Sequence, residues 1–292
     1  MMLSRSSVTY YRDILLTALA PAIWGTTYII TSQILPADRP FTAAMIRALP
    51  AGVLLLMCNP RFPEFRDIGR IIILSVLNIA LFQTLLFMAA YRLPGGLAAV
   101  LGAIQPLCVM FLLWITEGKK PKVITIWAAL VGVLGMALLL ISAQSVFDSV
   151  GIAVALLGAV CMASGVWLTG RWKIQLPVTA LSGWQLLIGG IMLVPAAEFV
   201  DAPLPNLTWM QYAAYGWLSI AGALIAYGLW FRGIKRLPGV AVASLGLLSP
   251  LVAVILGWSI LGQQMGVVQV IGLVTVLSSV LIVQRSSHAS TR

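Results

Sequence analysis

Runs of about twenty mostly apolar residues recur along nearly the whole 292-residue chain, separated only by short polar breaks. A hydrocarbon layer of about 30 Å takes about 20 helical residues to cross, so the pattern describes a polytopic membrane protein. The runs are continuous, whereas barrel strands would alternate over segments of about ten residues. Helices also pair their own backbone polar groups, as lipid requires. Ten spans are read, at 13–35, 40–58, 68–91, 95–116, 122–143, 149–170, 177–199, 207–233, 239–260 and 265–284. With 61% hydrophobic and 9% charged residues, an ordinary soluble domain is excluded. The loops are too short to hold a second domain.

A net charge of +10 could suggest nucleic acid as a partner, but the distribution of the positive residues argues for topology instead. With the N-terminus placed in the cytoplasm, fifteen Lys and Arg fall on the inner side, from Arg5 and Arg12 through Arg232, Lys235 and Arg236 to Arg285 and Arg292. Only Arg39 and Arg92 fall outside, and Arg47 lies within a span. The positive-inside rule then puts both termini in the cytoplasm. The expected partners are the lipid bilayer and a small-molecule substrate, with no nucleic acid. Ala18-Leu19-Ala20 after Arg5 and Arg12 has some signal-peptide character, but Pro21 follows and the apolar run continues to Ile34. The first span is therefore read as uncleaved.

The spans are duplicated. Arg92-Leu93-Pro94-Gly95 returns 144 residues later as Arg236-Leu237-Pro238-Gly239. The same offset joins Leu101 to Leu245, Gly102 to Gly246, Pro106 to Pro250, Trp114 to Trp258 and Gly118 to Gly262. Upstream it joins Ser75 to Ser219 and Phe87 to Phe231. Pro40, Thr42 and Gly52 match Pro177, Thr179 and Gly189 at an offset of 137. The repeats are expected at 1–145 and 146–292, five helices each. An odd number of spans inverts the second copy, and two inverted halves are a common build of secondary carriers. The fold class expected is all-α, with ten transmembrane helices as two inverted five-helix repeats. The turns at Pro94-Gly95 and Pro238-Gly239 are candidate gates, or ordinary helix turns. Pro106 and Pro250 are expected to kink helices four and nine.

Candidate substrate contacts are the polar and aromatic groups placed inside spans. Arg47 is the one ionised side chain well within a helix, a position that insertion scales charge about 2.5–3.5 kcal/mol. It could meet a substrate carboxylate, snorkel to headgroups, or bond helix-end carbonyls. Asn78 and Gln105 lie near the middle of helices three and four, among further uncharged polar groups that include Gln83, Gln185 and Ser249. Trp24, Tyr28, Trp167, Tyr227 and Trp230 could form walls for an apolar, aromatic or cationic solute.

No Asp or Glu lies deep in a span, and His288 is in the tail, so a proton relay through the membrane is hard to build. Facilitated transport or exchange is expected. Cys58, Cys108 and Cys161 have no metal-ligand spacing, and neither a metal nor a cofactor is expected. No histidine stands near a membrane serine, and no H-E-x-x-H motif occurs, so an enzyme is not expected. A channel lacks a visible filter motif.

Trp24-Gly25 in helix one, with Leu93-Pro94-Gly95 through Pro106 repeated at Leu237 through Pro250, resembles the drug/metabolite transporter superfamily in its duplicated bacterial metabolite-exporter branch. The runs Ala18-Leu19-Ala20-Pro21, Ile46-Arg47-Ala48-Leu49-Pro50-Ala51-Gly52 and Ala90-Tyr91-Arg92-Leu93-Pro94-Gly95-Gly96 look most like exporters associated with the blue pigment indigoidine. The resemblance implies a multi-pass carrier of the bacterial cytoplasmic membrane, moving amino acids, related metabolites or toxic organic compounds mostly outward. It implies a cavity lined by helices one, three, four, six, eight and nine, and so points to Trp24, Tyr28, Asn78, Gln105, Trp167, Tyr227 and Ser249. Arg47 falls outside that lining. Many members carry Gly-Glu after helices four and nine, where this chain has Glu117-Gly118 and Gly262-Gln263. An uptake carrier of the same fold is the alternative, followed by a channel-like or sensory protein.

Overall fold

The computed structural model describes residues 5–93, 101–140, 148–262 and 266–288. Pro94, Gly95 and Gln263 lie outside the described residues. Among those described there are helices and connecting turns, with no strand. Eight helices are long and apolar enough to cross a membrane, and two shorter apolar helices, Gln105–Glu117 and Val123–Leu139, accompany them.

In chain order the helices are α1 (Arg5–Gln33), α2 (Pro40–Cys58), α3 (Phe65–Ser75, Val76–Leu81 and Phe82–Arg92), α4 (Gln105–Glu117) and α5 (Val123–Leu140). They continue as α6 (Ser149–Trp172), α7 (Val178–Phe199) and α8 (Trp209–Ser219, Ile220–Ile225 and Ala226–Arg236). The last are α9 (Gly239–Leu245 and Leu248–Leu261) and α10 (Val267–His288). The middle segments of α3 and α8 are π-helical.

Backbone irregularities repeat with the sequence. The two π-segments begin at Val76 and Ile220, which are 144 residues apart. Gly118 and Gly262, at the same offset, close α4 and α9 with φ of 65° in each case. That left-handed conformation lets a helix end satisfy its last carbonyls and is open to glycine without steric cost. Leu93 and Leu237 both end their helices in extended backbone, at φ −110° and −113°. The turn after α8 consists of Leu237 and Pro238 alone. Its reversal is made by those two extended residues, and Gly239 already starts α9 without a positive φ.

The expected proline breaks are present and lie one turn upstream of each ring. A proline lacks an N–H and crowds the carbonyl four residues earlier, which for Pro250 is Gly246 and for Pro106 is Gly102. The Gly246 and Leu247 N–H groups bond three residues back, to Ala243 and Ser244, at 3.1 and 3.2 Å. The Ile104 N–H likewise reaches Leu101 at 3.4 Å.

Helices in lipid associate through close contact, because the tails are as apolar as leucine. The closest pairs, α2 with α7 and α5 with α10, are accordingly lined with small residues. On α2, Ala44, Ala48 and Gly52 form a buried stripe. A Cβ on Gly52 would strike the Leu187 backbone N, and one on Gly190 would stand 2.8 Å from Leu49 Cβ. Between α5 and α10, a Cβ on Gly135 would come within 2.9 Å of Thr275. Large apolar side chains on the outer faces, such as Leu15, Met57, Leu134, Ile191 and Leu281, are exposed and face the lipid.

The most extensive helix pairs are kept when each helix is exchanged for the one five places on. Contacts α2–α7, α4–α9 and α5–α10 map onto themselves, while α1–α8 exchanges with α6–α3 and α1–α9 with α6–α4. Most contacts therefore join the two sequence repeats.

Candidate functional site

The middle of the molecule is built around the π-segment of α8. A π-turn puts its carbonyls out of register with the α-helical ladder. The Gly222 carbonyl accepts a hydrogen bond from Trp24 Nε1 of α1 at 2.8 Å and another from Arg47 Nη2 of α2 at 3.1 Å. Arg47 is 2% exposed, and its Nη1 lies 3.5 Å from Gln83 Oε1 of α3. Gln83 Nε2 in turn donates to the Tyr227 hydroxyl of α8 at 2.9 Å. Gln83 and Tyr227 are themselves 144 residues apart, so the same position of the two repeats meets itself here. Trp24 stacks on both Tyr227 and Trp230 with ring centroids 5.1 Å apart in each case.

Above this layer lies a cavity of about 730 Å³. Trp24, Tyr28, Arg47, Gln105, Tyr227 and Ser249 all line it, and so does Trp230. The cavity extends toward the end of the bundle where α1 finishes, reaching Thr31 and Leu35, and past Val154 and Ala155 near the start of α6. Toward the other end the helices close up. Phe231, Leu237 and Val109 are buried there, and a Cβ on Gly233 would strike Thr17. Gly25, next to Trp24, lets α9 come close, since a Cβ would lie 2.6 Å from the Ser249 carbonyl oxygen.

Two expected residues are elsewhere. Asn78, 1% exposed in the π-segment of α3, donates to Gln185 Oε1 of α7 at 2.8 Å and faces Gly165 of α6. Asn78 and Gly222 are equivalent positions and α2 and α7 equivalent helices, so both π-segments bond the second helix of the other repeat, through residues that are not themselves equivalent. Trp167 turns toward the end of the bundle, where its Nε1 donates to Glu117 Oε1 at 3.3 Å and Arg171 sits 5.6 Å over its ring. Pro238 and Gly239 lie at the same end, with Gly239 against Val109 of α4. Thr31 was not named by sequence reasoning, and Gln83 was named only as one of several uncharged polar groups within the spans. Reading the offset through helices three and eight pairs Gln83 with Tyr227, and that signal was available.

Two ion pairs repeat the internal relation. Arg92, at the end of α3, donates to Asp148 before α6 at 3.2 Å. Arg236, at the end of α8, lies 3.6 Å from Asp13 near the start of α1, where Arg232 also donates at 2.5 Å. The Asp13 side chain is 8% exposed and that of Asp148 is 29% exposed. The Arg92 guanidinium holds the Asp148 carboxyl below the usual carboxylate range, and Asp148 also caps α6 by accepting from the Val150 N–H at 2.9 Å. A depressed carboxyl contributes above its unfolded pKa and loses that contribution as pH falls through its folded pKa. Asp148→Asn should therefore mimic low pH at neutral pH. The expected result is several-fold faster hydrogen–deuterium exchange over residues 148–152, with no change at α7.

Comparison with known proteins decides the family. Residues 12–141 and 149–285 each match the EamA-like transporter family. The chain belongs to that family. The assignment agrees with the drug/metabolite transporter resemblance. Protein PecM of Dickeya dadantii (strain 3937) is 41% identical over 278 residues, covering 94% of this chain and 92% of PecM. The uncharacterized inner membrane transporter YedA of Escherichia coli (strain K12) is 25% identical, covering 89% and 87% of the two chains. A solved crystal structure superposes with a TM-score of 0.81 at 17% identity, over 99% of this chain and all of that one, and shares the fold. As an EamA-like transporter the chain is a multi-pass membrane protein.

Proposed function

We propose that this EamA-like transporter is a cytoplasmic-membrane carrier that exports small organic metabolites by alternating access, from two inverted five-helix repeats at 1–145 and 146–292 with both termini in the cytoplasm. The observation that carries this reading is the one-sided cavity in a packing whose most extensive helix pairs are kept on exchange of the repeats. If the two halves exchange conformations, the closed end becomes the open one and the cavity changes sides. The charge distribution sets the termini inside, so the cavity faces outward in this arrangement. The inner-membrane location is supported by the name of the YedA relative. Export is favoured by the exporter branch that the sequence resembles.

The ion pairs serve this cycle as alternating latches. On the packed side, Asp13 is buried between Arg232 and Arg236, whereas on the cavity side Arg92 and Asp148 are both partly in water. In the opposite state the burial exchanges. Trp24, Tyr28, Gln105, Tyr227 and Ser249 contact the solute, while Pro238 and Gly239 carry the inner turn and Pro94 and Gly95 its outer counterpart.

Counterflow in proteoliposomes across amino acids, aromatic acids and cationic dyes tests the proposal. Saturable flux accelerated by trans-solute is expected. Flux that is linear in concentration and blind to trans-solute would indicate a channel and overturn the carrier reading. Absence of protein-dependent flux for every compound would also overturn it.

A further inference from the structure

The guanidinium of Arg47 lines the cavity with no carboxylate to balance it. Among the described residues every ion pair lies near a helix end or in a connecting segment, and none involves Arg47. Among the described residues no Asp or Glu lines the cavity. A guanidinium carries five N–H donors. Here one reaches the Gly222 carbonyl, one makes a long contact of 3.5 Å to Gln83, and Nε has no protein partner. Because residue 222 is glycine, no side chain covers the Nε edge, and a Cβ built there would stand 3.5 Å from it.

Other unpartnered polar atoms converge on the same cavity. Trp230 Nε1 and Gln105 Nε2 are donors without acceptors, and the hydroxyls of Thr27 and Thr31 are free to donate. A buried charge left unpaired is strongly unfavourable, and so is a buried polar atom without a partner. A site with one fixed positive charge and surplus N–H donors is complementary to an anion rich in acceptors. The wall beside it, Trp24, Tyr28, Tyr227 and Trp230, suits a flat or apolar body.

We propose that the solute carried by this site bears a carboxylate on an aromatic or other apolar body, with Arg47 holding the carboxylate and the Trp230 indole N–H donating to it. This deepens the carrier reading and rests on it. Cationic solutes are disfavoured, because the charge they would meet has their own sign.

A matched series with a common benzyl body tests the assignment on the full-length protein in detergent, with radiolabelled phenylacetate as the probe. Phenylacetamide, phenylalanine and phenethylamine compete as neutral, zwitterionic and cationic analogues. Phenylacetate should bind at least tenfold more tightly than phenethylamine. Arg47→Gln should weaken phenylacetate at least tenfold while changing phenylacetamide less than twofold, and Arg47→Lys should restore part of the difference. Trp230→Phe removes the unpartnered N–H together with one of the two fused rings, so phenylacetamide serves as its packing control, and phenylacetate should weaken about threefold more than phenylacetamide does. It decides the matter if the Arg47 variants do not remain monodisperse. Equal or tighter binding of phenethylamine, phenylacetate binding untouched in these variants, or no phenylacetate binding to the unaltered protein would each overturn the proposal. Counterflow of other solutes would then leave the carrier reading standing, whereas loss of all counterflow would remove both.

Discussion

Gly52→Val is expected to leave little folded, monodisperse protein. A Cβ at this position would strike the Leu187 backbone N and stand 2.8 Å from Leu187 Cα, so the obstacle is main chain and no rotamer change removes it. Overpacking that side chains can absorb costs about 1–3 kcal/mol, and a clash with backbone exceeds that range. Relief requires α2 and α7 to separate. That separation would undo the contacts of Ala48 and Ala51 on α2 and of Gly190 against Leu49. It would also pull Arg47 from the Gly222 carbonyl, since Arg47 leaves α2 between the same small residues. The measurement is the monodisperse fraction by size exclusion after extraction, with Gly69→Val as the control. Gly69 has nothing within 4 Å of a built Cβ, and its variant should behave as the unaltered protein. Comparable recovery of the two variants would show that the close α2–α7 approach is not what holds the halves together.

The second large effect is expected at the packed end. Asp13→Asn should reduce counterflow at least tenfold and lower the melting temperature in detergent. Asp13 is buried between Arg232 and Arg236 and ties the start of α1 to the end of α8. Breaking a buried ion pair on one side costs about 3–5 kcal/mol. Arg236 is about half exposed, so its share is screened by solvent and the loss should fall below that range. Most of it comes from Arg232, left 20% exposed with its charge unbalanced. In the proposed cycle the pair is intact only in the state with this end closed, so its loss should bias the molecule toward the other state. Asp148→Asn, by contrast, should reduce counterflow less than threefold, since its partner is already hydrated. Equal effects of the two variants would argue against the latch assignment.

Much of the architecture was legible because it rests on length and identity. Apolar runs of span length became helices, and Gly118 with Gly262 became matching left-handed helix ends. The π-segments were not legible. Nothing in Val76–Leu81 or Ile220–Ile225 calls for a wider turn, which arises only when neighbouring helices supply partners for the displaced carbonyls. The site was legible in depth but not in direction. Trp167 and Tyr28 are both aromatic residues of the first helix of a repeat, yet Trp167 turns toward Glu117 while Tyr28 lines the cavity. Asn78 has the depth expected of a cavity residue, but Gln185 reaches it from another helix. Which face of a helix meets which neighbour depends on rotations of about 100° per residue, and those are fixed only by packing.

The hydrogen bond between Gln83 and Tyr227 joins one repeat position to its own copy, and the copies are no longer the same residue. Similarly, Gly222 meets a charged arginine where its counterpart Asn78 meets a neutral glutamine. A molecule with identical halves would populate its two faces equally at rest. Here the duplicated frame is retained while its centre has drifted, so under the proposed alternating access the two orientations would differ in free energy before any solute arrives. Such a built-in bias would make the empty protein wait on one side of the membrane, and restoring identity at these positions would erase the preference.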